Sequence, residues 1–172
     1  MPGNTIQAAI GQSDNTFTPL QLANYIATLV RGGERYSAHL LKDIMAYDGS
    51  ELLYSHEPEL LDTVPISAST LAAVKKGMGD LVSKGSVSRY FKDCVVTAGA
   101  KTGSAQLGNA QTDGVFVCFA PFENPEIAVA VVIEKGNSGS AVASTAVEIL
   151  NAYFSDDTAV GAALVPEGVL LP

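Results

Sequence analysis

Residues 95–106 read VVTAGAKTGSAQ, and this stretch decides the fold that the sequence predicts. Its first half, residues 95–100, is an apolar run typical of a β-strand and leads into KTGSAQ at 101–106. A second apolar run, VFVCFA, occupies 115–120. Two such runs on either side of a short polar segment are typical of a hairpin, with KTGSAQ at the end of its first strand. A third run, IAVAVVI at 127–133, is apolar throughout, which predicts a strand buried on both faces.

Helical patterns lie on both sides of these strands. Thr18, Pro19 and Gln21 form a capping-box signature, and the helix that they begin is predicted to end at Gly32-Gly33. A second helix is predicted to start at Ser67 or Ser69 and to stop at Gly85, and a third covers about 141–154.

The remaining segments read as loops, a hairpin and a tail. Residues 1–17 are polar and rich in Gly, Asn and Ser, which predicts mostly loop. Residues 36–55 predict a hairpin that turns at Asp48-Gly49. We therefore predict an α+β fold, an antiparallel sheet packed with helices, over residues 1–155, followed by an extended tail at 156–172.

Residues 101–104, which we call the KTGS motif, are suited to binding an anion. Lys101 supplies a positive charge, Thr102 and Ser104 supply hydroxyl donors, and Gly103 leaves room for a ligand to approach the backbone. A Lys-Thr-Gly tripeptide on its own is also common at an ordinary solvated strand end, so its meaning depends on the rest of the chain.

Composition narrows the classes of function. The chain has 172 residues, 47% of them hydrophobic, and a formal net charge of −8, which argues against nucleic acid or an anionic membrane surface as a partner. Neither a transmembrane run nor a signal peptide is visible. Cys94 and Cys118 are expected to be small buried hydrophobes, and His39 and His56 lie far from any cysteine or acidic cluster. No cofactor or metal site is therefore expected.

Three segments, in their order along the chain, resemble the transpeptidase domain of class B, monofunctional penicillin-binding proteins. The first is AIGQ at 9–12 with TPLQLA at 18–23, and the second is AKTGSAQ at 100–106. The third is FVCFAP at 116–121, together with VVIE at 131–134 and Gly139. The resemblance extends from residue 8 to about residue 154. A motif match gains weight from its context, and the order of the three segments supplies that context.

The resemblance implies a β-lactamase/transpeptidase-like fold, of which this chain holds three of five sheet strands. It implies serine acyl transfer from a D-alanyl-D-alanine peptide to a neighbouring peptidoglycan stem, with β-lactams as mimics of that dipeptide. Lys101 would face the substrate carboxylate, and Thr102 and Ser104 would bind that carboxylate. Gly103 would keep the strand edge open, and the Ser104 N–H would be one of two oxyanion-hole donors.

The nucleophile motif of that family, Ser-x-x-Lys, is absent, because no serine in the chain is followed three residues later by lysine. The family has a second active-site motif, Ser-x-Asn. Ser13-Asp14-Asn15 has that form, but it lies in the segment that follows the true Ser-x-Asn motif in the family. We expect the C-terminal portion of a transpeptidase that is inactive alone. A non-catalytic module of the same fold and a serine β-lactamase fragment are the alternatives, and TPLQLA at 18–23 favours the transpeptidase over the latter.

Expectations about partners follow from the same resemblance. The full-length protein would bind stem peptides and β-lactams on the extracytoplasmic face of the cell membrane, through an anchor that this chain lacks. The strand at 127–133 would lose its neighbour, and an exposed strand edge predicts self-association. Met1 could be a native start or a truncation boundary, and the sequence does not distinguish the two.

Overall fold

The computed structural model describes residues 2–9, 11–12, 15–106 and 111–155, with backbone alone for residues 2–4. Ser13, Asp14 and the tail predicted at 156–172 lie outside the described residues. The elements in chain order are α1 (Pro2–Ala9), α2 (Pro19–Val30), β1 (Glu34–Tyr36), β2 (Asp43–Met45), β3 (Leu52–Ser55), β4 (Leu60–Thr63), α3 (Ala68–Ser83), β5 (Gly99–Gln106), β6 (Thr112–Ala120), β7 (Ile127–Ile133) and α4 (Ala143–Phe154). The predicted α+β class is confirmed.

The predicted capping box starts helix α2. The Thr18 hydroxyl accepts a hydrogen bond from the Gln21 N–H at 3.2 Å, and the Gln21 side chain accepts one from the Thr18 N–H at 2.8 Å. Ser67, rather than Ser69, caps α3 by accepting from the Thr70 N–H at 3.1 Å. Helix α3 is the longest, at 16 residues. No helix in the described part of the chain is long and apolar enough to cross a bilayer.

The predicted meander of three antiparallel strands is confirmed, with the order β5-β6-β7. Lys101 pairs with Val117 and Ser104 pairs with Gly114, and Val117 pairs in turn with Ala130 on β7. Strands β5 and β7 are therefore the two edges of this sheet. Val132 and Ile133 are 38% and 39% exposed, so β7 is not buried on both faces at its C-terminal end, which lies on the open edge.

Residues 34–63 form two small antiparallel pairs, β1–β4 and β2–β3, which we call the arm. Strands β2, β3 and β4 are exposed along their whole length. The predicted turn at Asp48-Gly49 is confirmed between β2 and β3, although Tyr36 belongs to β1 and pairs with β4. Two guanidinium nitrogens of Arg35, Nε and one terminal nitrogen, donate to the two oxygens of the Asp62 carboxylate at 3.0 and 2.9 Å and lower the pKa of that carboxyl.

The two faces of the three-stranded sheet carry separate hydrophobic clusters, because successive side chains of a strand point to opposite faces. On one face, helix α4 packs over Ala100, Phe116, Cys118, Val129 and Val131. On the other face, Ile26 and Leu29 of α2 and Met78 of α3 pack against Phe119. Cys94 and Cys118 are free thiols, and burial raises the pKa of Cys118 to about 12.

Two further predictions from the sequence are wrong. Residues 2–9 form helix α1 instead of loop, with the Gly11 N–H bonded to Ala8 O and the Gln12 N–H bonded to Gln7 O, both at 3.0 Å. These two bonds form a Schellman motif, which uses the positive φ of Gly11, +83°. The first sheet strand begins at Gly99 and not at residue 95. Upstream of it, the Val95 N–H bonds the Asn151 side chain and the Thr97 hydroxyl bonds Glu123.

Candidate active-site edge

The sequence predicted the KTGS motif at the end of a strand. In the structure the motif lies inside strand β5. The ladder to β6 runs without a break from Gly99 to Gln106, so residues 101–104 occupy the middle of the strand. The far side of β5 pairs with no strand among the described residues. The four residues predicted from the sequence therefore lie together on an edge strand that is paired on one side and open on the other.

Lys101 is exposed at this edge, and its ammonium group donates to the carbonyl oxygen of Thr102. No carboxylate in the described part of the chain lies within ion-pair distance of it. The positive charge is therefore available to an anionic group at the open edge of β5. The next residue, Thr102, is half-buried, and its hydroxyl has no hydrogen-bond partner among the described residues.

Ser104 is contacted from two distant segments. Its carbonyl oxygen accepts a hydrogen bond from the Gln12 side-chain nitrogen at 2.8 Å. Its hydroxyl oxygen accepts from the Gly139 N–H at 3.4 Å, which leaves the hydroxyl hydrogen free to donate. Gln12 follows α1, and Gly139 lies in the loop between β7 and α4. Ser104 is therefore in contact with the N-terminal segment and with the loop before the last helix.

The loop that contains Gly139 packs directly onto the motif backbone. A Cβ at position 139 would lie 2.3 Å from Val115 O, 2.5 Å from Gly103 O and 2.6 Å from Gly103 N. A Cβ at Gly103 would lie 3.2 Å from Val115 Cβ. The sequence predicted that Gly103 lets a ligand approach its backbone. In the structure it is the protein's own loop that approaches this backbone on one face.

A cavity of about 670 Å³ lies elsewhere, between α3 and the residues around Thr97 and Phe122. The Lys75 ammonium lies 5.6 Å from the ring centres of both Phe119 and Phe122, and none of residues 101–104 lines this cavity. The Thr97 hydroxyl lowers the pKa of Glu123 at its rim. Sequence reasoning did not find this cavity, because its walls are ordinary core and surface residues.

The histidines remain apart from the motif. The rings of His39 and His56 are in contact in the arm, with centres 3.8 Å apart and planes tilted by 33°, and the buried Nε2 of His56 has no partner among the described residues. No group of three His, Cys, Asp or Glu residues that could hold a metal ion occurs in the described part of the chain.

Gln12 is the site residue that sequence reasoning passed over. It was quoted only as part of AIGQ at 9–12 and was given no role. Its contact with Ser104 crosses 92 positions of sequence, and no local pattern encodes a contact of that kind. Gly139 was noticed as part of the third matching segment, but its packing on Gly103 could not be read from the sequence.

Comparison with known proteins adds a family to this geometry. A family model described as "Penicillin binding protein transpeptidase domain" matches residues 1–153. Over 147 residues the chain is 31% identical to penicillin-binding protein 2A of Bacillus subtilis, covering 77% of this chain and 20% of the relative. Over 174 residues it is 29% identical to peptidoglycan D,D-transpeptidase MrdA of Escherichia coli, covering 90% and 27% of the two proteins.

A solved structure agrees with these relatives. Pseudomonas aeruginosa PBP2 in complex with WCK 5153 superposes with a TM-score of 0.74 at 31% identity, covering 92% of this chain and 35% of that one. The fold is therefore that of the transpeptidase domains. The chain spans only 20% and 27% of the length of the two curated relatives.

Proposed function

Because this chain belongs to the penicillin-binding protein transpeptidase domain family, we propose that it forms the C-terminal part of a peptidoglycan D,D-transpeptidase. It supplies one wall of the substrate cleft, the open edge of β5. The observation that carries the proposal is the placement of Lys101, Thr102 and Ser104 on one edge strand, with a positive charge and two hydroxyl groups near an unpaired backbone edge.

The chemistry of this wall follows from its donors. The Lys101 ammonium attracts the C-terminal carboxylate of a D-alanyl-D-alanine stem peptide, and the Thr102 and Ser104 hydroxyls donate hydrogen bonds to it. The Ser104 N–H stabilises the negative charge that develops on the scissile carbonyl oxygen when a serine attacks. Attack expels the terminal D-alanine, and the resulting acyl group passes to an amine of a neighbouring stem.

The attacking serine is not among the residues of this chain that match the family's motifs, since no Ser-x-x-Lys sequence is present. Without that serine and its activating lysine, the edge binds a carboxylate but no acyl-enzyme forms at the usual position. The complete protein would act on the extracytoplasmic face of the cell membrane, with stem peptides and β-lactams as its ligands.

The missing motif also favours a second candidate, a non-catalytic module that keeps the fold and binds without reacting. The reading frame upstream of Met1 distinguishes the two. A continuous frame that encodes Ser-x-x-Lys supports the transpeptidase, and a start site at Met1 supports the stand-alone module.

Two measurements on the purified chain test the proposal. In an NMR titration with N-acetyl-D-alanyl-D-alanine we expect the signals of residues 101–104 to move. Lys101→Met abolishes the effect, and Lys92→Met, the same change at another exposed lysine, does not. A fluorescent penicillin is expected to leave no covalent label. Stable labelling contradicts the inactivity of the chain, and an unchanged spectrum at residues 101–104 contradicts the carboxylate site.

A further inference from the structure

The contact between Gln12 and Ser104 has a geometric consequence for the open edge of β5. In an antiparallel strand, the N–H and C=O of one residue point to the same side of the strand. Successive residues alternate, so that one residue directs both groups toward the neighbouring strand and the next directs both away from it. Gln12 lies outside the β5–β6–β7 sheet and yet reaches the Ser104 carbonyl. This carbonyl, and with it the Ser104 N–H, therefore points to the open edge and not toward β6.

A second donor at the same edge supports this assignment. The Lys101 ammonium bonds the carbonyl of Thr102, which is two residues from Ser104 and shares its orientation in the strand. The Gly139 loop lies over the inner groups, close to Gly103 N, Gly103 O and Val115 O. Residues 102 and 104 thus direct their N–H and C=O groups toward the open edge, and residue 103 directs its N–H and C=O toward β6.

Gln12 itself is held by hydrogen bonds at its backbone. Its own N–H is bonded to Gln7 O in the Schellman motif that ends α1, and its carbonyl accepts from the Asn15 side chain at 3.1 Å. Gln12 is also half-buried, which restricts the positions that its side chain can adopt. A donor that is held at its backbone and directed at the Ser104 carbonyl restrains the peptide plane between Ser104 and Ala105, and through it the backbone torsions of Ser104 that set the direction of its N–H.

We infer that Gln12 is a positioning residue, whose amide holds Ser104 so that its N–H stays directed into the substrate cleft. An edge strand lacks the second ladder that fixes the backbone of an inner strand, so such a hydrogen bond replaces part of the missing neighbour. The inference rests on the proposed function, because the role of the Ser104 N–H as an oxyanion donor belongs to that proposal.

The test compares four forms of the full chain by NMR: wild type, Gln12→Met, Gln12→Arg and Gln7→Met. Methionine matches the shape of glutamine but cannot donate. In arginine, Nε stands at the position of the glutamine nitrogen along the side chain and can donate. Gln7 is exposed in α1, and its side chain has no hydrogen bond to any described residue, so Gln7→Met is the matched control.

The first readout is the carbonyl-carbon resonance of Ser104, which loses the downfield shift caused by a hydrogen bond when the donor is removed. We expect Gln12→Met to move this resonance upfield, Gln12→Arg to restore it, and Gln7→Met to leave it at the wild-type position. A Ser104 resonance that is unchanged in Gln12→Met overturns the inference, as does an equal shift in Gln7→Met.

The second readout is affinity for N-acetyl-D-alanyl-D-alanine. Loss of one hydrogen bond is expected to weaken binding about fivefold in Gln12→Met, with recovery in Gln12→Arg. Equal affinity of wild type and Gln12→Met, with a shifted Ser104 resonance, overturns the positioning role while the proposed function stands. If the peptide binds neither protein, the proposed function fails and the inference fails with it.

Discussion

Gly139→Ala is expected to destabilise the protein strongly, because the new methyl group has no space. Three backbone atoms, Val115 O, Gly103 O and Gly103 N, lie 2.3, 2.5 and 2.6 Å from the position of the added carbon. Non-bonded heavy atoms prefer separations of about 3.5 Å or more, so each of the three contacts is too short by roughly 1 Å. All three atoms belong to paired strands, so none can move as the end of a flexible side chain could.

The magnitude follows from the cost of overpacking. Inserting a methyl group into a well-packed site costs typically about 1–3 kcal/mol, and the rigid surroundings of Gly139 place this substitution at the upper end. For a chain of this size, each kcal/mol lowers the melting temperature by about 2–4 °C. We therefore expect Gly139→Ala to melt about 6–12 °C below wild type.

Gly77→Ala provides the matched control, since it makes the same chemical change with the opposite expected sign. Gly77 lies within α3, and an added Cβ there meets no atom within 4 Å. Alanine in place of glycine inside a helix is more stable by about 0.5–1 kcal/mol. Thermal unfolding followed by circular dichroism measures both variants. A Gly139→Ala protein that melts at or above the wild-type temperature refutes the steric argument.

Four further outcomes are expected. Thr18→Ala removes the hydroxyl of the capping box and lowers the free energy of unfolding by about 1 kcal/mol in urea denaturation. Ellman's reagent labels Cys94 in the native protein and leaves Cys118 unmodified, because Cys118 is buried and its pKa is raised to about 12; modification of both thiols contradicts the packing. Arg35 lowers the pKa of Asp62, so the ionised carboxylate stabilises the folded protein above the ordinary carboxyl pKa, and this stabilisation is lost as the pH falls through the lowered value. The melting temperature of Asp62→Asn should therefore depend less on pH than that of wild type below about pH 4. Light scattering at increasing concentration is expected to show self-association through the open edge of β7, and Val132→Lys should reduce it; a monomer at every concentration would oppose this prediction.

Local signals in the sequence predicted the elements whose stability is local. Thr18, Pro19 and Gln21 predicted the start of α2, because capping bonds join residues that are near in sequence. The three apolar runs predicted the β5–β6–β7 meander, because short polar segments between them let consecutive strands pair. Lys101 to Ser104 were likewise found as one group, since they are consecutive in the chain.

Contacts between distant segments could not be predicted in this way. Helix α1 was read as loop because its composition is polar, although Pro2 and Gly11 occupy the positions that proline and glycine favour at the two ends of a helix. The bond from Gln12 to Ser104 and the packing of Gly139 on Gly103 depend on how three separate segments meet, which no periodicity describes.

The 92-residue separation of Gln12 and Ser104 bears on the order in which the chain folds. Strands β5, β6 and β7 and helix α4 are consecutive, and their mutual contacts close only short loops, which favours rapid formation. The contact from Gln12 closes a loop that includes the whole arm, at a larger entropic cost. Hydrogen exchange during refolding should therefore show the β5–β6 ladder protected before the N-terminal segment docks, so that the open edge of β5 forms early and gains its contact with Gln12 last.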